Sequence, residues 1–183
     1  MSIYGQTKGT PLEQLSEMMA KAEANGTMMY HTLARLAKEQ GLDGAAATFV
    51  EAANQEAVHA GFFAALNGKV PQDFWMMVRG CMAAEYAAKK TFGGFIEKFR
   101  EAGLNEAADE LAVFAEQEWH HGEMLEGMLK KYKPEALDVE GKKIYVCACC
   151  GFEYIGDLDA EPEDYVCPVC GQPKKVFKLG LAS

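Results

Sequence analysis

Through the first 132 residues, apolar side chains return every three or four positions with polar ones between them, the period of amphipathic helices. Ala, Met, Leu, Glu and Lys dominate this stretch, and strand-forming runs are nearly missing from it. Thr10-Pro11-Leu12-Glu13 reads as a helix start, with a capping threonine, a proline in the first turn and a glutamate three residues on. The first helix then runs to about Gln40 and ends at Gly41. Asp43 caps a second, which reaches about Leu66 before Asn67-Gly68. A third spans roughly Gln72 to Ala102 and stops at Gly103; a fourth, capped by Asn105, extends to about Tyr132 ahead of Pro134. Four such helices predict a mainly α chain built around a four-helix bundle in residues 1–134.

The pattern then breaks. Residues 135–143 are polar and charged and read as a linker, while 144–183 carry aromatics, Gly, Pro and Cys in short turn-bounded segments. A segment of that length buries too little apolar surface to hold a fold alone and needs a staple. Five of the six cysteines lie here, four of them as two Cys-x-x-Cys pairs, Cys147/Cys150 and Cys167/Cys170, with Cys149 left over. This spacing is a strong signal for a tetrahedral four-thiolate metal site. Spacing alone admits structural zinc or redox iron; Tyr145, Phe152, Tyr154, Tyr165 and Phe177 around it, and the ligands described next, favour iron.

Composition narrows the function. At 49% hydrophobic and 25% charged residues the chain has a globular composition, and a net charge of −9 argues against a nucleic-acid partner. No run of about 18 apolar residues suits a membrane span, and Met1 to Thr10 lacks the apolar core of a secretory signal, so a cytoplasmic protein is expected.

The helices carry the chemistry. Two Glu-x-x-His motifs occur, Glu56 with His59 and Glu118 with His121, and residues three apart on a helix share a face. Glu23 precedes Glu56 by 33 residues, and Glu85 precedes Glu118 by the same 33. Two hairpins of matching register each offer one Glu and then one Glu-x-x-His, the ligand set of a di-iron site in a bundle core. Apolar neighbours such as Phe49 and Phe63 beside Glu56, and Leu111 and Leu125 beside Glu118, predict that the carboxylates point inward. Four buried carboxylates require compensation, and two divalent cations with two neutral imidazoles supply it. Cys81, one turn before Glu85, reads as a buried thiol, and His31 and His120 as polar residues outside the ligand set.

In order and combination these elements resemble rubrerythrin: Glu23 with Tyr30 seven residues on, Glu56 and His59, Glu85, Glu118 and His121, then two cysteine knuckles. The tail by itself resembles rubredoxin, in Tyr145-Val146-Cys147 through Cys150-Gly151-Phe152 and in Tyr165-Val166-Cys167-Pro168 through Cys170-Gly171. The resemblance implies a ferritin-like bundle followed by a rubredoxin-like, zinc-ribbon-like domain, with two irons in the bundle and one held by the four cysteines. It implies a cytoplasmic non-haem peroxidase of oxidative-stress defence, reducing hydrogen peroxide with electrons that come from NADH through a reductase or a rubredoxin. By the same resemblance Glu56 and Glu118 bridge the irons, Glu23 and Glu85 bind terminally, His59 and His121 cap one iron each, and Tyr30 hydrogen-bonds a ligand carboxylate. Where the family usually has a further glutamate, three residues after Glu85, this chain has Ala88. That leaves an iron-oxidising or oxygen-reducing protein of ferritin type as the alternative, and a non-catalytic helical protein with structural zinc as a third reading.

The short connector bears on assembly. Five residues, 67–71, reach about 18 Å extended, whereas a 24-residue helix is about 36 Å long. A ferritin-type crossover within one chain is therefore excluded. A simple up-down bundle and a helix-swapped homodimer remain, and the resemblance favours the second, with the tail of one chain serving the partner's bundle.

Overall fold

Both helical pairs are closed by the same three-residue turn. The computed structural model describes residues 2–180; Met1 and residues 181–183, the end of the expected tail, lie outside the described residues. The chain divides into two compact units, residues 1–70 and 71–183. The first contains α1 (Glu13–Glu39) and α2 (Asp43–Asn67), and the second begins with α3 (Phe74–Glu101) and α4 (Asn105–Tyr132). Gly41 takes φ +72°, donates to Lys38 O, and is followed by Leu42 N–H donating to Ala37 O, both at 2.9 Å. Gly103, at φ +78°, and Leu104 repeat this against Arg100 O and Phe99 O, again at 2.9 Å. These paired bonds satisfy carbonyls that the last helical turn would otherwise leave open.

That turn corrects the expected caps. Leu42 and Leu104, not Asp43 and Asn105, occupy the cap positions, because the residue completing the first helix's turn already starts the next helix. The first helix begins at Glu13 rather than at Thr10; Thr10 Oγ1 accepts from Leu12 N–H and Glu13 Oε2 reaches back to Gly9 N–H. The third helix starts two residues later than its pattern indicated, at Phe74, with the Asp73 carboxylate accepting from Met76 N–H at 3.0 Å.

Small residues line the seams. In the first unit Ala34 and Ala37 of α1 and Ala46 and Ala53 of α2 are buried. In α4 Ala108, Ala115, Gly122 and Leu129 recur every seven residues on the buried face, the repeat that keeps one stripe of a helix against a neighbour. Gly122 leaves room for the ring of Tyr86 from α3, whose hydroxyl donates to Glu126 Oε2 at 3.0 Å. Enlarging such a position overpacks the seam. Ala108→Leu, at a site with 0% exposure, is expected to lower stability by about 1–3 kcal/mol, measured by denaturant unfolding of the metal-free protein.

After a 3-10 turn at Pro134–Leu137 comes a small antiparallel sheet: β1 (Ile144–Cys147), β2 (Glu153–Ile155) and β3 (Phe177–Leu179), ordered β2-β1-β3. Tyr145 pairs with Tyr154 across one edge of β1 and with Leu179 across the other. The tail's buried cluster, with Phe152, Tyr154, Leu158 and Tyr165 among its members, is not self-contained: Ala84 of α3 belongs to it, and Met76 and Met77 pack against it.

Candidate metal centres

The four cysteines are placed by two copies of one loop. Gly151 N–H donates to Cys147 O at 2.9 Å, and Gly171 N–H to Cys167 O at 2.8 Å, folding each Cys-x-x-Cys segment into a knuckle. The Sγ atoms of Cys147, Cys150, Cys167 and Cys170 all lie within 4.8 Å of one another. Cys147 to Cys170 and Cys150 to Cys167 are each 3.6 Å apart, far beyond a disulfide bond and close to the roughly 3.8 Å edge of a tetrahedron with metal–sulfur bonds of about 2.3 Å. The thiols therefore fit one tetrahedral cation. Burial pushes Cys150, Cys167 and Cys170 up to about 12, so thiolates at neutral pH require a cation to hold them. At Cys147 burial also acts upward, but the backbone N–H groups of Cys150 and Cys149, together with the Cys170 and Cys150 thiols, outweigh it and bring the thiol below its ordinary value. Cys149 is exposed and outside the cluster.

The helical ligand candidates gather into two groups of like composition, one in each unit. In the first, His59 Nδ1 lies 3.2 Å from Glu56 Oε2 and 3.6 Å from Glu23 Oε2. In the second, His121 Nδ1 lies 3.4 Å from Glu85 Oε2 and 3.7 Å from Glu118 Oε2. Each group offers two carboxylates and one imidazole whose ligand atoms fall within 4.8 Å, close enough to share a cation. Gly26 of α1 faces the Glu56 side chain, where a β-carbon would lie 3.4 Å from Cγ.

The groups are more open than their apolar flanks predicted. The carboxylate side chains are 18–28% exposed and the two histidines 51% and 56%. A pair of helices encloses only its own seam, which the alanines fill, and the ligand row lies along the edge of that seam. Charge repulsion is visible even so. Glu56 beside it raises the Glu23 carboxyl above its usual range, while Glu56 itself is held down by Glu23 and His59. Burial, then Glu118, raises Glu85 to about 7. Glu85 Oε2 is sealed from solvent with no aligned donor among the described residues, the situation of a ligand atom that a cation would satisfy.

A pH dependence follows. Without metal, the folded protein keeps on Glu85 a proton that the unfolded chain loses from pH 4.5 upward. Stability should therefore fall as pH rises from about 4.5 to about 7 and then level off, by at most about 3 kcal/mol. Thermal unfolding of the metal-free protein across that range checks this, and Glu85→Gln should flatten the profile.

The other candidates are also placed. The Tyr30 ring stacks on Phe49 with centroids 6.3 Å apart. Cys81 is half-buried, and burial with the Glu85 charge raises its thiol, keeping it protonated. His31 is exposed, and His120 pairs loosely with Glu123 at 3.6 Å. Ala88 lines a cleft of about 210 Å³ together with Glu85, Glu118, Cys149 and Cys150. Sequence reasoning missed the contacts that form this cleft, although a mid-helix glycine at position 80, unfavourable by about 1 kcal/mol against alanine, was a usable signal.

A family model described as rubrerythrin matches residues 9–74. An uncharacterized protein of Methanocaldococcus jannaschii is 30% identical over 128 residues, covering 70% of this chain and 91% of its own length. Nigerythrin of Nitratidesulfovibrio vulgaris is 26% identical over 184 residues, covering 92% of this chain and 86% of its own. The chain belongs to the rubrerythrin family. A structure of nigerythrin in the fully reduced, all-ferrous state aligns at 20% identity over 98% of this chain and 94% of that one, with a TM-score of 0.32. A second, in a mixed-valent state, aligns at 22% identity over the same shares, with a TM-score of 0.30. As a rubrerythrin-family protein the chain uses iron, and the two carboxylate–imidazole groups and the four-cysteine cluster fit a di-iron centre and a tetrathiolate iron. Among the described residues no helix is long and apolar enough to cross a membrane.

Proposed function

We propose that this protein is a cytoplasmic peroxidase of oxidative-stress defence, an oxidoreductase that takes up hydrogen peroxide, two electrons and two protons and releases two waters. One observation carries the reading: a single chain holds two matched groups of two carboxylates and an imidazole together with a four-thiolate cluster. Two ferrous ions held by the carboxylate–imidazole groups would supply the two electrons of peroxide cleavage, and an iron held by the four cysteines would be a one-electron donor to replace them.

The chain's residues hold and orient. Glu23, Glu56 and His59 would hold one cation and Glu85, Glu118 and His121 the other, with Glu56 and Glu118 as the carboxylates shared between them and the histidines as the imidazole ligands. Tyr30 is the group to hydrogen-bond a ligand carboxylate from the Phe49 side. The electron donor is a rubredoxin or an NADH-dependent reductase.

The di-iron centre needs all six ligands, and a homodimer supplies them by exchange. α2 has 25 residues, about 37 Å, while the connector 68–73 spans about 20 Å at full extension, too little for parallel α2 and α3 in one bundle. Each centre would then take Glu23, Glu56 and His59 from one chain and Glu85, Glu118 and His121 from its partner. The exposed Val58, Phe62, Val113 and Phe114 give such an assembly apolar surface to cover.

Ala88 favours a second reading, oxidation of iron or reduction of dioxygen, because no carboxylate stands one turn beyond Glu85. Anaerobic mixing of the reduced protein with peroxide, and separately with dioxygen, tests the choice. Peroxide should oxidise it faster, with gel filtration at the size of a dimer. Faster oxidation by dioxygen, or elution as a large shell with accumulated ferric iron, would support the second reading.

A further inference from the structure

The resemblance places the tail against the partner's bundle, yet within residues 71–183 the tail is built onto α3 of its own chain. Phe152, two residues after Cys150, is 0% exposed and lies on α3 at Gly80, where a β-carbon would overlap both its ring and the Glu153 carbonyl. Gly151 approaches the next turns at φ +82°, where a β-carbon would fall 2.5 Å from Ala87 Cβ. Arg79 Nη2 meets Glu153 Oε2 at 3.1 Å, with side chains only 12% and 24% exposed, a partly desolvated pair that fixes the approach. These contacts bracket Glu85, which stands five residues, about 7.5 Å of helix rise, beyond Gly80. The result is the 210 Å³ cleft with Glu85, Ala88 and Glu118 on one wall and Cys149, Cys150 and Val169 on the other.

We propose that the four-cysteine knuckle serves the Glu85–Glu118–His121 group of its own chain, and that Phe152 in the Gly80 socket is the positioning residue that seats it there. The proposal rests on the peroxidase reading and adds to it the direction of electron entry. A single electron passed across the cleft leaves the thiolate side oxidised by one and the carboxylate side reduced by one; two passes restore what one peroxide consumes. Tunnelling weakens steeply with distance, so a tail tethered only by residues 135–143 gains from a fixed seat. In an exchanged dimer each centre would then draw its electrons from the chain that contributes α3 and α4.

Cross-linking tests this without turnover. Ala88→Cys sets a thiol across the cleft from the exposed native Cys149, and a short bis-maleimide is applied to the full-length, iron-loaded protein. The expected product is an internally linked monomer on a denaturing gel, joining positions 88 and 149 by peptide mapping and lost in Cys149→Ser. A linked dimer, or no 88–149 product, overturns the proposal. Adding Gly80→Val should lower the yield at least about fivefold, equivalent to about 1 kcal/mol on the seated equilibrium, with the thiolate-to-iron absorption retained. Phe152→Leu, which keeps an apolar side chain in the core, should lower it less. An unchanged yield in Gly80→Val removes the positioning role. The linkage does not require metal in the carboxylate groups, so a failed peroxidase assay and a failed cross-link remain separate results.

Discussion

Glu118→Ala should abolish peroxide-dependent oxidation of the reduced protein, lowering its rate by more than about 100-fold, the upper end of the loss seen when a metal ligand merely loses its supporting hydrogen bond. The carboxylate sits 3.7 Å from His121 Nδ1 and beside Glu85, so its removal leaves two ligands where three converge. Glu56→Ala should be as damaging, since Glu56 holds the matching position 3.2 Å from His59 Nδ1. Both variants should keep their helical circular dichroism, because the seams are sealed by alanines and not by these glutamates. Bundle iron should fall with the rate. Glu116→Ala is the control: its side chain is 71% exposed and pairs with Lys89 at 3.1 Å, a surface interaction of about 0–1 kcal/mol. A carboxylate two residues from a ligand should thus be silent where the ligand is not.

The second large effect concerns the tail. Cys167→Ser should release its metal and unfold residues 144–180 while α4 stays folded. Binding of a structural tetrathiolate-type metal is worth roughly 10–16 kcal/mol at neutral pH, and a domain this small has little else to oppose its chain entropy. Cys167 is 1% exposed and sits in the same buried cluster as Phe152 and Tyr165, so the loss reaches the core directly. Hydrogen exchange checks the outcome. Protection should vanish from β1, β2 and β3 and persist in α4. Mild acid should do the same to the native protein, since protons compete for thiols that burial holds near 12 once the cation leaves.

The helices were legible because periodicity and two glycines define them: Gly41 and Gly103 end α1 and α3 where the pattern placed them. The caps were not, because Leu42 and Leu104 act through backbone geometry, which residue type does not reveal. Repetition made the convergence of these side chains readable. The equal spacing of Glu23 to Glu56 and Glu85 to Glu118 becomes two three-ligand groups. Their partial exposure was not readable, since flanking Phe and Leu show a nearby core without showing how wide a two-helix unit can make it. Nor was the seat of the tail, where Phe152 meets Gly80 and Arg79 meets Glu153 across more than 70 residues of chain. Long-range contacts between a single glycine and a single aromatic leave no periodic trace.

Metal analysis with an optical spectrum, on protein purified without oxygen, decides whether the helical carboxylates and the four cysteines both hold iron. Three irons per chain are expected, with a visible thiolate-to-iron band that reductant bleaches and peroxide restores. A colourless protein holding one zinc per chain and no iron in the helical ligands would contradict it.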